Sequence, residues 1–245
     1  ADSRKLMKLM TQLKQEMEEL KKDQSEQQQH VSNLENSLKE HFVHFFLESD
    51  RKSSIAVFIQ YCFIPRILFS PMDALFCAEF VRCLIRWQVP NYNHILFVKR
   101  ALVVLMTLLR GATKSEAQNI SLFMLELFTD LSQWNDSEKK YNEVCLNNPV
   151  FVKNTSGDVS YDSFCKCYKH WIKTISVMIV SDLQSKEEQQ VRNALDFLQR
   201  MSSVYPQKTG FGDALYPYLE NLMFNPNGGI KTSAQMLCTS LDRLK

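Results

Sequence analysis

The sequence predicts an all-helical protein in which a long N-terminal helix leads into an α-solenoid of degenerate antiparallel helix pairs, as in ARM and HEAT repeats. The 245 residues include only six Gly and seven Pro, less than half of their usual share. Sandwiches, barrels and βαβ folds need frequent turns, which rely on these two residues. Apolar residues make up 45% of the chain, which suffices for a sizeable core and excludes a wholly disordered protein.

Residues 1–48 form the first predicted domain, a single heptad-patterned helix without Gly or Pro. Apolar residues recur at spacings of four and three, and the candidate partner-binding seam consists of Leu6, Met10, Leu13, Met17 and Leu20. This spacing is typical of a coiled coil with another subunit or another copy. A long helix lying across the rest of the chain, or a frayed end, would show the same pattern.

Residues 49–245 form the second predicted domain, the solenoid. A helix that begins near Ile55 is expected to end before Pro65, and Ser70 is expected to cap the next helix. Thr113 and Glu116 form a predicted capping box for a later helix. Several helices are apolar on more than one face and are joined by short loops, a pattern that favours stacked pairs. The sequence has no strict period, so the repeats are degenerate.

Cysteine usage and hydropathy indicate an intracellular protein without a membrane span. The seven cysteines are odd in number and scattered, which favours reduced thiols in the cytosol or nucleus. The most apolar stretch, from Ile55 to Phe69, contains Gln60, Pro65 and Arg66. We therefore expect no membrane partner.

Basic charge is concentrated in one part of the sequence. Residues 51–110 contain eight basic and two acidic residues, whereas residues 1–50 contain seven and ten. This block predicts contacts with nucleic acid or an acidic partner through Arg82, Arg86, Lys99 and Arg100. Arg82 and Arg86 could instead neutralise the acidic first helix. A second basic stripe, at residues 166, 169, 170 and 173, is more typical of a solvated helix face than of a nucleic-acid surface, because the run is short and no aromatic residue shares the face.

Motifs for catalysis are absent from the sequence: no phosphate loop, dinucleotide fingerprint, zinc-protease motif or nucleophile elbow occurs. The best metal-like group is Cys165, Cys167 and His170. Two helical residues spaced by two point in nearly opposite directions, which favours structural thiols over a zinc site. Buried structural thiols are also expected at Cys62, Cys77 and Cys83. We predict no enzyme activity, no cofactor and no catalytic or metal residue.

One stretch, residues 62–81, resembles the C-terminal helical region of the family formed by the largest subunits of the THO complex. The match depends on Pro65, Arg66, Ser70, Asp73, Ala74 and Cys77. Weaker similarities in the same order extend it to roughly residues 28–206. Physically, these residues are typical of a junction between repeats, where Arg66 is expected to bind carbonyls at the end of the preceding helix.

The resemblance implies a nuclear, non-catalytic scaffold of the TREX assembly. Family members assemble with the other THO subunits and work with a DEAD-box RNA helicase, coupling transcription elongation to mRNP biogenesis and mRNA export. The family's basic tail has no counterpart in these residues, so any contact with RNA or DNA is expected to be indirect. Two alternatives are a nucleic-acid-binding module that uses residues 51–110 and an unrelated adaptor solenoid of vesicle traffic.

Overall fold

The computed structural model describes residues 2–46, 50–151, 159–205 and 212–242. The regular elements in these ranges are helices, and no strand occurs among them. The predicted all-α fold class is therefore confirmed. The chain divides into two compact units, residues 1–45 and residues 46–245. The predicted domain boundary between residues 48 and 49 lies outside the described residues.

The first unit is one long helix. Helix α1 spans Asp2–His41, and a 3₁₀ turn follows at Phe42–His44. At 1.5 Å per residue, 40 residues make a helix about 60 Å long. The continuous helix predicted from the absence of Gly and Pro is confirmed over this range.

The second unit contains the remaining helices. They are α2 (Arg51–Phe58), a π-helical turn (Ile59–Phe63), α3 (Ile64–Phe69), α4 (Pro71–Arg86), α5 (His94–Gly111), α6 (Lys114–Asp136), α7 (Glu138–Val144), a 3₁₀ turn (Pro149–Phe151), α8 (Tyr161–Leu183), α9 (Glu188–Met201), α10 (Gly212–Leu222) and α11 (Gly228–Asp242).

These helices stack in two layers. Helices α4, α6, α9 and α11 contact one another in that order, and α2, α5, α8 and α10 do the same in the second layer. Helix pairs α3–α4, α5–α6, α8–α9 and α10–α11 join the layers. Each pair therefore packs on the pairs before and after it, as a solenoid requires. The apolar faces meet between the layers and form a continuous core.

The predicted helix starts are confirmed by their capping bonds. Ser70 Oγ accepts a hydrogen bond from the Asp73 amide at 3.1 Å, at the start of α4. At the start of α6, Thr113 and Glu116 form the reciprocal capping box. Each cap satisfies amide groups that the first helical turn leaves without partners.

Pro65 does not end a helix, so this prediction was wrong. Backbone helicity continues from Arg51 to Phe69 through the π-helical turn at Ile59–Phe63. A proline inside a helix lacks an amide donor, and its ring clashes with the carbonyl four residues earlier, here Tyr61. Tyr61 lies within the π-helical turn, whose wider backbone accommodates the ring. The helix then ends at Ser70, where the backbone becomes extended.

By length and composition, the stretch Arg51–Phe69 is the one helix in the described part of the chain that could cross a membrane. One side of it belongs to the core, because Ile55, Ile59, Phe63 and Ile67 recur every four residues and are buried. Gln60 and Arg66 lie on its exposed side. A core helix of a soluble domain has the same length and composition.

Three buried asparagine side chains bind carbonyl groups near the ends of other helices. In each case the amide nitrogen donates, and the pairs are Asn119 to Leu68 (3.1 Å), Asn148 to Ile85 (3.2 Å), and Asn193 to both Leu109 and Ala112 (2.8 Å each). The partners are 51 to 84 residues apart in sequence. These bonds therefore fix α3, α4 and α5 to elements that follow much later in the chain.

A buried histidine lies in an aromatic cluster at the start of α5. The rings of Tyr92, Phe97, Trp134 and Phe151 surround His94 at centroid distances between 5.3 and 6.3 Å. Its Nδ1 is 3.1 Å from the Tyr92 hydroxyl, and its Nε2 has no hydrogen-bond partner among the described residues. Burial lowers the pKa of His94 to about 3, so the ring is neutral at pH 7.

Replacing Asn193 by Ala should lower the free energy of unfolding by about 2–4 kcal/mol, because two buried carbonyls lose their donor. Urea unfolding followed by far-UV circular dichroism measures this loss. The exposed Asn142→Ala variant is the matched control and should change stability by less than about 0.5 kcal/mol. Equal losses in the two variants would contradict the role of Asn193.

His94 should make the domain less stable in acid. Its pKa is about 3 in the folded chain and about 6.5 when unfolded, so between these values the unfolded chain binds a proton that the folded chain does not. From pH 7 to pH 5 this group should remove about 2 kcal/mol of stability. Urea unfolding at both pH values should show that His94→Gln loses correspondingly less than the parent chain. The same loss in both proteins would refute this assignment.

Candidate partner-binding surfaces

The predicted seam of α1 is exposed. The side chains of Met10, Leu13 and Met17 are each 54% exposed, and that of Leu20 is 68% exposed. The side chain of Leu6 lies outside the described part of the structure. Large apolar side chains avoid water, so a row of them along one helix is a candidate contact surface. The sequence analysis did not include Met7 and Leu9, which are exposed beside this row and widen it.

Arg82 binds acidic groups within the solenoid. Its Nε lies 2.7 Å from Asp130 Oδ2, and its Nη2 lies 2.8 Å from Glu126 Oε2, so it joins α4 to α6. Glu79 is a third partner, at 3.5 Å. Burial raises the pKa of Asp130 and outweighs the opposing effect of Arg82. The positive charge of Arg82 is thus matched by several carboxylates of its own domain.

Arg86 lies one helical turn further along α4 and makes local contacts. Its Nη2 is 3.7 Å from Glu79 Oε1 and 3.0 Å from Cys83 Sγ. Its guanidinium also lies 5.8 Å from the Trp87 ring centroid, within the range of a cation–π contact. Arg82 and Arg86 therefore share Glu79, and both belong to the layer that contains α4 and α6.

Lys99 and Arg100 lie elsewhere, in a groove between α5 and α8. The groove has a volume of about 790 Å³. The structure adds two cations that the sequence analysis did not assign to this site, Lys52 of α2 and Lys166 of α8. Lys52 and Lys166 are separated by more than 100 residues in sequence. Packing of the second helix layer brings both to this groove. The one sequence signal was the basic stripe on α8, which includes Lys166.

The lining of this groove combines cationic and aliphatic side chains. We call it the α5/α8 groove, and its aliphatic residues are Ile95, Leu96, Val103, Val104 and Val159. Its lining includes no acidic side chain and no aromatic ring among the described residues. None of the four cations pairs with a described carboxylate. The groove therefore combines unbalanced positive charge with apolar surface.

The motif that carries the family resemblance forms the junction between α3 and α4. Asp73 accepts hydrogen bonds from Ser70 Oγ at 2.6 Å and Arg66 Nε at 2.9 Å, which hold the pKa of its carboxyl below the usual value. Arg66 therefore binds Asp73, not helix carbonyls, and its guanidinium lies 4.4 Å from the Phe76 ring centroid. Ala74 is buried and allows close helix packing.

The cysteines form no disulfide among the described residues, which include all seven. Cys77 is buried, and burial raises the pKa of its thiol to about 12, so it stays protonated at neutral pH. Cys62 is exposed, so the expectation that it is a buried thiol was wrong. It lies within the π-helical turn, on the outer side of the helix. The described residues contain no group of three metal-binding side chains.

An apolar patch on α3 and α4 was missed by the sequence analysis. Phe69 is 82% exposed, and Tyr61, Met72 and Phe76 are also exposed. Periodicity did not single out these residues, because several faces of these helices are apolar. The sequence contains no signal that distinguishes a buried apolar face from an exposed one here.

Comparison with known proteins relates the chain to one family. The family model described as Tho2, transcription factor/nuclear export subunit protein 2, matches residues 1–241. THO complex subunit 2 of Saccharomyces cerevisiae is 31% identical over 174 residues, which are 71% of this chain and 10% of the yeast protein. THO complex subunit 2 of Homo sapiens is 25% identical over 204 residues, 79% of this chain and 13% of the human protein.

The plant relative gives the same picture. THO complex subunit 2 of Arabidopsis thaliana is 29% identical over 160 residues, which cover 62% of this chain and 9% of the plant protein. The chain thus spans about a tenth of the length of these curated relatives. The family match extends over both the heptad helix and the two-layered solenoid. The resemblance at residues 62–81 is therefore supported along most of the sequence, and the chain belongs to the Tho2 family.

Proposed function

We propose that this chain is a non-catalytic scaffold segment of the THO complex in the nucleus, within the TREX assembly. The observation that carries the proposal is the exposed apolar row of α1, where Met10, Leu13, Met17 and Leu20 are all more than half exposed. An isolated helix of this polarity gains little by folding alone, so burial of the row against a partner helix supplies its stability.

The solenoid supports the scaffold role as a preformed body. Its core is continuous, and the long-range asparagine bonds and the Arg82 ion pairs connect successive pairs. Strongly shifted titratable groups such as His94 and Cys77 lie in that core, where packing accounts for the shifts. A rigid helical body presents surfaces to partners without conformational change, and this reduces the entropic cost of assembly.

The proposed partners are the other THO subunits, with the DEAD-box RNA helicase of TREX joining the same assembly. In this function the segment helps to couple transcription to mRNA packaging and nuclear export. Membership of the Tho2 family favours these partners over those of a vesicle-traffic adaptor. Direct nucleic-acid binding through residues 51–110 stays a prediction. Of its four proposed residues, Lys99 and Arg100 face the α5/α8 groove, whereas Arg82 and Arg86 contact carboxylates of the solenoid.

Replacing Leu13 and Met17 by Ala should weaken recovery of THO subunits at least tenfold, because each change removes apolar area from the proposed contact. The measurement is affinity purification of the tagged chain from nuclear extract of its source cells, with subunits quantified by mass spectrometry. The side chains are exposed, so the variant should keep its helical circular dichroism spectrum.

The matched control is Gln15→Ala with Glu19→Ala, an exposed pair with the same spacing on the opposite face of α1. It should recover THO subunits at the parent level. Undiminished recovery by the Leu13 and Met17 variant would reject the seam as the contact. Recovery of the parent chain mainly from cytoplasm, without THO subunits, would reject the proposed function itself.

A further inference from the structure

We propose that the α5/α8 groove binds an acidic amphipathic helix of a partner protein. The inference deepens the proposed scaffold function and rests on it, because it gives the solenoid a second partner surface. Four cations from three helices meet at this groove: Lys52, Lys99, Arg100 and Lys166. They are exposed, and no described carboxylate balances them.

Charge complementarity indicates that the partner segment is negatively charged. A groove whose described lining has four positive charges and no acidic side chain repels basic segments and attracts acidic ones. The contrast within this chain is informative, since Arg82 lies next to three carboxylates and is balanced by them. The cations of the α5/α8 groove form no ion pair with a carboxylate among the described residues.

The aliphatic surface indicates that the partner is an amphipathic helix. Leu96, Val103 and Val104 line the groove from α5 on both sides of Lys99 and Arg100 in sequence, and Val159 lines it from the segment before α8. The side chain of Val103 is 48% exposed. Exposure of apolar surface to water is unfavourable, and contact with an apolar side chain of a partner would remove this surface from water. A groove between two helices, with apolar contacts spaced by helical turns, is the usual receptor for one face of a third helix.

Single-stranded RNA fits this lining less well. Proteins that bind single strands combine cations with aromatic rings on which the bases stack. The described lining of the groove has no aromatic ring and is aliphatic instead. Phosphate binding would use the cations but leave the aliphatic residues exposed, whereas an amphipathic acidic helix uses both.

The test uses the whole 245-residue chain and a fluorescent helix-forming peptide about 18 residues long, with Leu on one face and Glu on both flanks. Fluorescence anisotropy should show saturable binding that weakens as salt is raised. Two further peptides, one with Gln for every Glu and one with Gln for every Leu, should each bind at least about tenfold more weakly. Oligouridylate RNA is the competing probe.

Charge reversal identifies the groove as the binding surface. Lys99→Glu with Arg100→Glu should weaken peptide binding about tenfold or more. Lys139→Glu with Lys140→Glu changes an adjacent exposed pair on α7 by the same charge and should leave binding unchanged. Val103→Ser should weaken binding several-fold, whereas Val177→Ser, at an exposed position of α8 outside the groove, should not.

Three results would overturn the proposal: no peptide binding by the parent chain, equal losses in the groove and control variants, or groove-dependent binding of oligouridylate without binding of the peptide. Recovery of THO subunits through α1 is measured separately with the Leu13 and Met17 variant. Failure of the groove with intact recovery would leave the scaffold function standing. Failure of the parent chain to recover THO subunits would refute the scaffold function independently of the peptide result.

Discussion

Every helix ends with carbonyl groups that need hydrogen-bond donors, and near the ends of α3, α4 and α5 distant asparagines supply some of them. Helices commonly end at Gly, yet only six glycines are available here. Gln88 takes the left-handed conformation after α4, at a φ of 52°, where Gly would be usual. The amide groups of Asn119, Asn148 and Asn193 bind other terminal carbonyls from elements far along the chain. The same hydrogen bonds therefore satisfy carbonyl groups near helix ends and connect elements that are far apart in sequence.

The same division between internal and external use explains the basic residues. Arg82 stabilises the contact of α4 with α6 because Glu126 and Asp130 lie opposite it. Lys99 and Arg100 belong to the other layer, where the described lining offers no carboxylate. Equal formal charges therefore have different consequences. A cation that faces a carboxylate of a neighbouring helix stabilises the fold, whereas a cation without one can bind another molecule.

A scaffold needs rigid surfaces that are stable before the partner arrives. The solenoid core meets this need without the cations and Val103 of the α5/α8 groove, which are exposed, as is the apolar row of α1. Substitutions on these surfaces can change binding while the core stays intact. The two surfaces also differ in chemistry: one is mainly apolar, and the other is cationic with aliphatic floor residues. They therefore suit different partners.

The sequence by itself determined the fold class, the long first helix, the helix starts at Ser70 and Thr113 and the family resemblance, because these depend on spacing, caps and breakers within a few residues. It also predicted an apolar row on α1, which is exposed in the structure together with its neighbours Met7 and Leu9. The prediction that Pro65 ends a helix was wrong because the preceding π-helical turn accommodates the proline ring. No local sequence rule predicts such a turn. Only the tertiary structure gathered Lys52, Lys99, Arg100 and Lys166 into one groove and exposed Phe69. The physical reason is that helix stacking chooses which neighbours and which faces meet, and residues distant in sequence decide that outcome together.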